Sequence, residues 1–247
     1  MGIEPYPNPF NSELELVSAL ISTAAFVLLF ILTTMHFRRK KTTTLLYLCL
    51  IVTAFLALFS MRSMSLVGWA VEHDHKNDVY RFGLALSYCF LQAANLCLLV
   101  FSDRIFNQLS SRRVGTWVIR FFAVFSIVLI ALLLDIPGNN YGEYDGTTDL
   151  PVRRVVTQGA ILASSAVLFL YMLLRFAMLA TKTQVAKEKK LVRFVAVSYL
   201  CQLLSLLFVL IDGILNAPAP TIFIVFMHGS SVLAALFLYL GLLAPGS

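Results

Sequence analysis

The segment Thr221–Leu243, TIFIVFMHGSSVLAALFLYLGLL, contains no Asp, Glu, Lys or Arg. It exceeds the ~20 apolar helical residues that cross a hydrocarbon core of ~30 Å. Six further apolar segments account for most of the remaining chain: Leu14–Met35, Thr44–Ala70, Val79–Phe101, Trp117–Leu134, Val155–Ala180 and Val192–Leu215. Hydrophobic residues make up 59% of the 247 residues, and charged residues only 13%. The sequence therefore predicts an all-α integral membrane protein, a bundle of seven transmembrane helices.

Short connections between the segments indicate one bundle rather than several domains. We expect an extracytoplasmic tail at residues 1–13, a seven-helix domain at 14–243 and a cytoplasmic end at 244–247. Whether a soluble signalling domain follows Ser247 stays open. The first apolar segment is not typical of a cleavable signal peptide, because no basic residue precedes it and its apolar run exceeds the usual ~7–15 residues.

The basic residues predict the orientation of the bundle. With the N-terminus outside, twelve Lys and Arg residues fall in cytoplasmic connections: Arg38, Arg39, Lys40, Lys41, Arg104, Arg112, Arg113, Lys182, Lys187, Lys189, Lys190 and Arg193. Only Lys76, Arg81, Arg153 and Arg154 fall on the opposite side. Short loops that carry the excess of Lys and Arg lie in the cytoplasm. We therefore expect the N-terminus outside and the C-terminus inside. The net charge of +6 then indicates contact with anionic lipids rather than with nucleic acid.

Residues that carry enzyme chemistry are scarce in the apolar segments. His228 is the single histidine within them, so three histidines cannot converge there on a zinc ion. No lysine lies away from a segment end, where a retinal Schiff base would need one. The sequence has no phosphate-binding loop, nucleophile elbow or dinucleotide fingerprint. We expect no catalytic residue, no metal and no cofactor.

Ionisable residues within the apolar segments are the first candidates for a functional site, because a charge at the bilayer centre costs at least ~2.5 kcal/mol. Arg62, Asp212 and His228 lie within such segments and Asp135 closes the fourth one, and all four fall at similar depths toward the outer face. They form either a ligand- or proton-sensing pocket or a structural ion pair, in which Arg62 would bind Asp212 or Asp135. Histidine suits proton sensing because its ordinary pKa is near neutral.

Uncharged polar residues form two stripes deeper in the predicted bundle. Tyr88, Gln92 and Asn95 share one helical face at the spacing i, i+4, i+7. Tyr199, Gln202 and Ser205 form a similar stripe on the sixth segment. Their hydrogen bonds would either hold helices together or line a cavity floor. The predicted ligand-binding set contains seven residues: Arg62, Tyr88, Gln92, Asn95, Gln202, Asp212 and His228.

The end of the chain carries one family resemblance. Tyr239-Leu-Gly-Leu-Leu-Ala-Pro245 resembles the membrane exit of the N-terminal seven-helix sensor regions of prokaryotic histidine kinases and related signalling proteins. The helix number, the outside N-terminus and the short loops are also similar. The chain departs from that family because no kinase or PAS domain is present before Ser247. The resemblance implies a sensory module that signals through a cytoplasmic domain or partner.

Proline positions bear on the choice between a receptor and a carrier. The eight prolines lie outside the apolar segments or at their ends, whereas many carriers bind their solute at helices broken near the midplane. We therefore expect a multi-pass receptor-type or sensory module of the cell membrane that binds a small molecule among the second, third, sixth and seventh segments. The alternatives are a small-solute transporter or channel, and a non-catalytic assembly subunit of a membrane complex.

Overall fold

The computed structural model describes residues 9–72, 78–110, 115–134, 152–215 and 221–243. Within these ranges the chain forms seven α-helices and no β-strand: α1 (Pro9–Lys40), α2 (Thr43–Glu72), α3 (Asp78–Ser110), α4 (Thr116–Leu134), α5 (Val152–Lys182), α6 (Ala186–Leu215) and α7 (Thr221–Leu243). All seven are long and apolar enough to cross a membrane. The predicted all-helical fold is confirmed, and the seven apolar helices are those of a multi-pass membrane protein.

The helices extend beyond the predicted apolar segments. Residues 9–13 of the predicted tail are helical, because α1 begins at Pro9. Proline suits the first turn of a helix, where its missing N–H would have no partner. α3 continues past Phe101 to Ser110, and α6 begins in the basic run ahead of Val192. Lys and Arg are good helix formers whose charged ends reach water while their stems pack on apolar surface, so hydropathy alone ends these helices too early.

The turn between α1 and α2 is tight. Lys41 adopts a positive φ of 46°, and its N–H donates to the carbonyl of Phe37 at 2.8 Å. A residue in this left-handed conformation commonly ends a helix. The Oγ1 of Thr42 then accepts from the N–H of Leu45 at 3.4 Å and caps α2. This turn makes α1 and α2 antiparallel neighbours.

Six helices form a closed ring in the order α1, α2, α3, α5, α6, α7, with α7 returning to α1. α4 lies outside the ring and packs on α3 and α5, while α2 also contacts α7 across the ring. The outer face of α4 is apolar; Ile127, for example, is 67% exposed. Such a face is expected where the surrounding solvent is lipid. We call the end at which α1 begins the N-side and the end at which α7 finishes the C-side.

Buried aromatic side chains of α3, α5 and α6 pack against one another toward the C-side. Phe176 stacks on both Phe106 and Tyr199, with ring centroids 4.5 and 5.8 Å apart. The hydroxyl of Tyr199 bonds Ser102 and donates to the carbonyl of Leu98 at 3.1 Å, which joins α6 to α3. Every member of this cluster except Ser102 and Leu98 is aromatic. The C-side half is therefore a packed core held by an internal hydrogen bond.

Candidate functional site

A cavity of about 330 Å³ occupies the N-side half of the bundle. Residues of α2, α3, α6 and α7 form most of its wall, with single contributions from α1 and α5. Ligand pockets span roughly 300–1,000 Å³ and combine apolar walls with a few polar groups. This wall follows that pattern: its apolar residues include Phe55, Leu84, Leu206 and Ile224.

An ion pair between α1 and α2 borders the cavity. The Nε of Arg62 donates to Oε1 of Glu15 at 2.7 Å, and the Nη2 of the same guanidinium also contacts that oxygen. Both side chains are largely shielded, at 21% and 12% exposure. The sequence analysis named Asp212 and Asp135 as partners, but Asp135 and the side chain of Asp212 lie outside the described part of the chain. Glu15 was missed, although it is an acid on the antiparallel neighbour of α2.

His228 on α7 is buried beside this ion pair. Its Nδ1 lies 2.7 Å from the Oγ of Ser18 on α1, and its ring forms a T-shaped pair with that of Phe59, with centroids 5.2 Å apart. The side chain is 1% exposed, and its Nε2 has no hydrogen-bond partner among the described residues. A buried polar atom without a partner costs free energy. His228 lines the cavity, and an unpartnered atom on such a residue is what a ligand or a water would satisfy.

Gln202 on α6 is the second polar group of the wall that lacks a partner. The residue is 4% exposed, and its amide forms no hydrogen bond with any other residue in the described ranges. One turn further along α6, the hydroxyl of Ser205 lies 2.9 Å from that of Ser231 and donates to the carbonyl of Met227 at 3.1 Å. The serines are thus satisfied within the protein, whereas the Gln202 amide is left for the cavity.

Gln92 and Asn95 lie away from the cavity. The Nε2 of Gln92 donates to Ser126 on α4 at 3.0 Å, and the Nδ2 of Asn95 donates to Ser165 on α5 at 2.6 Å. These two amides hold α3 to its neighbours on the far side of the ring. Leu91, one position before Gln92, does line the cavity, so these two neighbouring residues face opposite sides of the cavity boundary on α3.

The structure thus divides the seven predicted ligand-binding residues. Four line one cavity: Arg62, Tyr88, Gln202 and His228. Gln92 and Asn95 face α4 and α5, and nothing described bears on the Asp212 side chain. Glu15 and Ser18, three residues apart on α1, were missed. The sequence feature that could have revealed them is an acid and a hydroxyl three residues apart, which lie on one face near the start of an apolar helix.

The part of the chain that the structure describes shows no metal-binding cluster. No three His, Cys, Asp or Glu side chains there come close enough together to hold an ion. No protein-family model matches the chain, and a comparison with curated proteins finds no significant relative.

Proposed function

We propose that this protein is a seven-transmembrane sensory or receptor-type module that binds a small molecule in the N-side cavity. The observation that supports it is a pair of nearly buried polar groups, the amide of Gln202 and the Nε2 of His228, on two residues that line a cavity of ligand size. A bundle selected for stability alone gains nothing from polar groups left without partners in its interior.

The packed C-side half favours a receptor over a carrier or channel. A transport path would have to continue from the cavity past Tyr199, which bonds to α3 and stacks within the aromatic cluster. The cavity itself favours a receptor over an assembly subunit, because a subunit that only binds other proteins needs no internal polar site. The proposed role agrees with the resemblance of Tyr239–Pro245 to the membrane exit of sensor regions.

For the orientation, we propose that the N-side faces outward from the cell membrane and the C-side faces the cytoplasm. The C-side ends of the described helices carry most of the basic residues: Arg38, Arg39, Lys40, Arg104, Lys182, Lys187, Lys189, Lys190 and Arg193. Such residues anchor a bundle to the anionic inner leaflet. A single cysteine placed at Ala186 should react with an impermeant thiol reagent only after the membrane is opened. Reaction in intact cells would contradict the orientation.

Transmission of the signal is proposed to follow α1 and α7. The two helices meet at both ends of the bundle, through Ser18 and His228 on the N-side and through His36 and Tyr239 on the C-side. A ligand that moves His228 therefore acts on the same helix pair that ends at the C-side. A change in the packing of α7 there would reach a cytoplasmic domain or partner.

A variant that fills the cavity tests the proposed function. Ser87 lines the cavity, and among the described residues its hydroxyl bonds only the carbonyl of Leu84 in its own helix, so Ser87→Leu breaks no bond between the described helices. Thr53 is the matched control, because it is exposed and likewise bonds its own helix, at Cys49. Small molecules extracted from protein purified with its native lipids are compared by mass spectrometry.

We expect the wild type and Thr53→Leu to retain the same small molecule and Ser87→Leu to lose at least nine-tenths of it, following the ~1–3 kcal/mol cost of overpacking. Equal retention by all three proteins, or no retained molecule in any of them, would contradict a ligand-binding cavity.

A further inference from the structure

The contacts of Ser18 determine which nitrogen of His228 carries the proton. The Ser18 Oγ lies 2.9 Å from the carbonyl of Glu15 and 2.7 Å from Nδ1 of His228. A hydroxyl has one hydrogen to donate, and a carbonyl oxygen can only accept. Both contacts are hydrogen bonds only if Ser18 donates to Glu15 and Nδ1–H donates to Ser18. If Ser18 donated to Nδ1 instead, a lone pair of its hydroxyl oxygen would face a lone pair of the Glu15 carbonyl oxygen.

This assignment makes Nε2 of His228 an acceptor. In a neutral imidazole one nitrogen carries the hydrogen and the other presents a lone pair. Because Nδ1 carries the hydrogen here, the buried Nε2 presents its lone pair, and no donor among the described residues reaches it. A molecule that satisfies this atom must therefore bring an N–H or O–H group.

The amide of Gln202 lies at a different depth in the bundle from His228. The bond between Ser205 and Ser231 sets α6 and α7 at a common level. Gln202 is three residues from that level toward the C-side, and His228 is three residues from it toward the N-side. At ~1.5 Å per residue the two groups are about 9 Å apart along the bundle axis. The ligand that reaches both is elongated and polar at each end.

The charge of the wall points to an uncharged ligand. Glu15 and Arg62 are the two charged side chains among the described wall residues, and they pair with each other. A carboxylate at Nε2 would face the lone pair of His228, and a ligand charge of either sign would be desolvated without a free counter-charge. At the level between the two polar ends, the wall carries Leu206 and the hydroxyls of Ser205 and Ser231, which bond within the protein; much of the remaining wall is apolar.

We propose that the cavity binds a neutral amphiphile, whose hydroxyl donates a hydrogen bond to Nε2 of His228 and whose second polar group contacts the amide of Gln202. This inference rests on the proposed function and adds the class of the ligand. The wall supplies an acceptor at one end and an amide that both donates and accepts at the other. Between them lie apolar side chains and two serines whose hydroxyls bond within the protein.

Nitrogen NMR of the histidines tests the assignment without any ligand. The chain has four histidines, and the His228 signals are those that disappear in His228→Gln. In the ¹⁵N-histidine-labelled protein in lipid nanodiscs, we expect protonated Nδ1 and unprotonated Nε2. Ser18→Ala should abolish this preference. Ser22→Ala, one turn along α1, should keep it, because Ser22 makes no hydrogen bond to His228. A protonated Nε2 in the wild type would overturn the proposal.

Two probes of nearly the same shape then test the ligand class. Hexanol can donate a hydrogen bond, whereas its methyl ether cannot. We expect hexanol to shift the Nε2 signal with at least about tenfold higher apparent affinity than the ether, the factor expected for one hydrogen bond. Equal shifts by both probes would overturn the donor requirement yet leave a ligand cavity intact. The absence of a shift with hexanol at saturation would also overturn the proposal.

Discussion

Two buried polar residues of α6, one in each half of the bundle, are used in opposite ways. On the C-side, Tyr199 is buried and its hydroxyl bonds α3 at Ser102 and Leu98. On the N-side, Gln202 lies three residues further along the same helix, is equally buried, and has no partner in the described part of the chain. One polar group stabilises the fold, whereas the other is held open in a cavity. Neighbouring positions on one helix can therefore serve structure and binding separately.

The Glu15–Arg62 ion pair joins α1 to α2 in the N-side half, and it gives the largest expected effect. Arg62→Ala leaves the Glu15 carboxylate shielded from water without its counter-charge, and removal of one partner of a buried pair costs about 3 kcal/mol or more. We expect a clear fall in the free energy of unfolding, measured in detergent or nanodiscs. Arg62→Ala combined with Glu15→Ala should recover part of the loss.

The matched control for this pair is Arg120→Ala. Arg120 is exposed on α4, outside the ring, so its loss should change the free energy of unfolding by less than about 0.5 kcal/mol. Strictly additive losses for Arg62→Ala and Glu15→Ala would show that these two residues do not stabilise each other. The ion pair would then not count as a stabilising contact between α1 and α2.

Hydropathy was enough to predict the seven helices, whereas the partners of the polar side chains depend on how the helices pack, which the sequence does not show directly. The seven apolar segments each became a helix, because an apolar run of this length has few other stable states in lipid. Arg62, Gln202 and His228 could be singled out because polar groups are costly there. Nothing in the sequence placed α4 outside the ring. The spacing of Gln92 and Asn95 shows that they share a helical face, but not that this face packs against α4 and α5. The pairing of Arg62 with Glu15 depends on how α1 and α2 align across their turn, which composition does not encode.

The smallest effects give the most direct test, since Tyr199 and Gln202 share one helix and one degree of burial. Tyr199→Phe removes two hydrogen bonds and should lower the free energy of unfolding by about 1–2 kcal/mol. Gln202→Leu removes an amide that bonds nothing in the described ranges and adds apolar surface, so the free energy of unfolding should stay the same or rise. Both variants are measured by equilibrium unfolding in the same nanodiscs. A loss for Gln202→Leu as large as that for Tyr199→Phe would contradict a cavity whose polar groups are kept for a ligand.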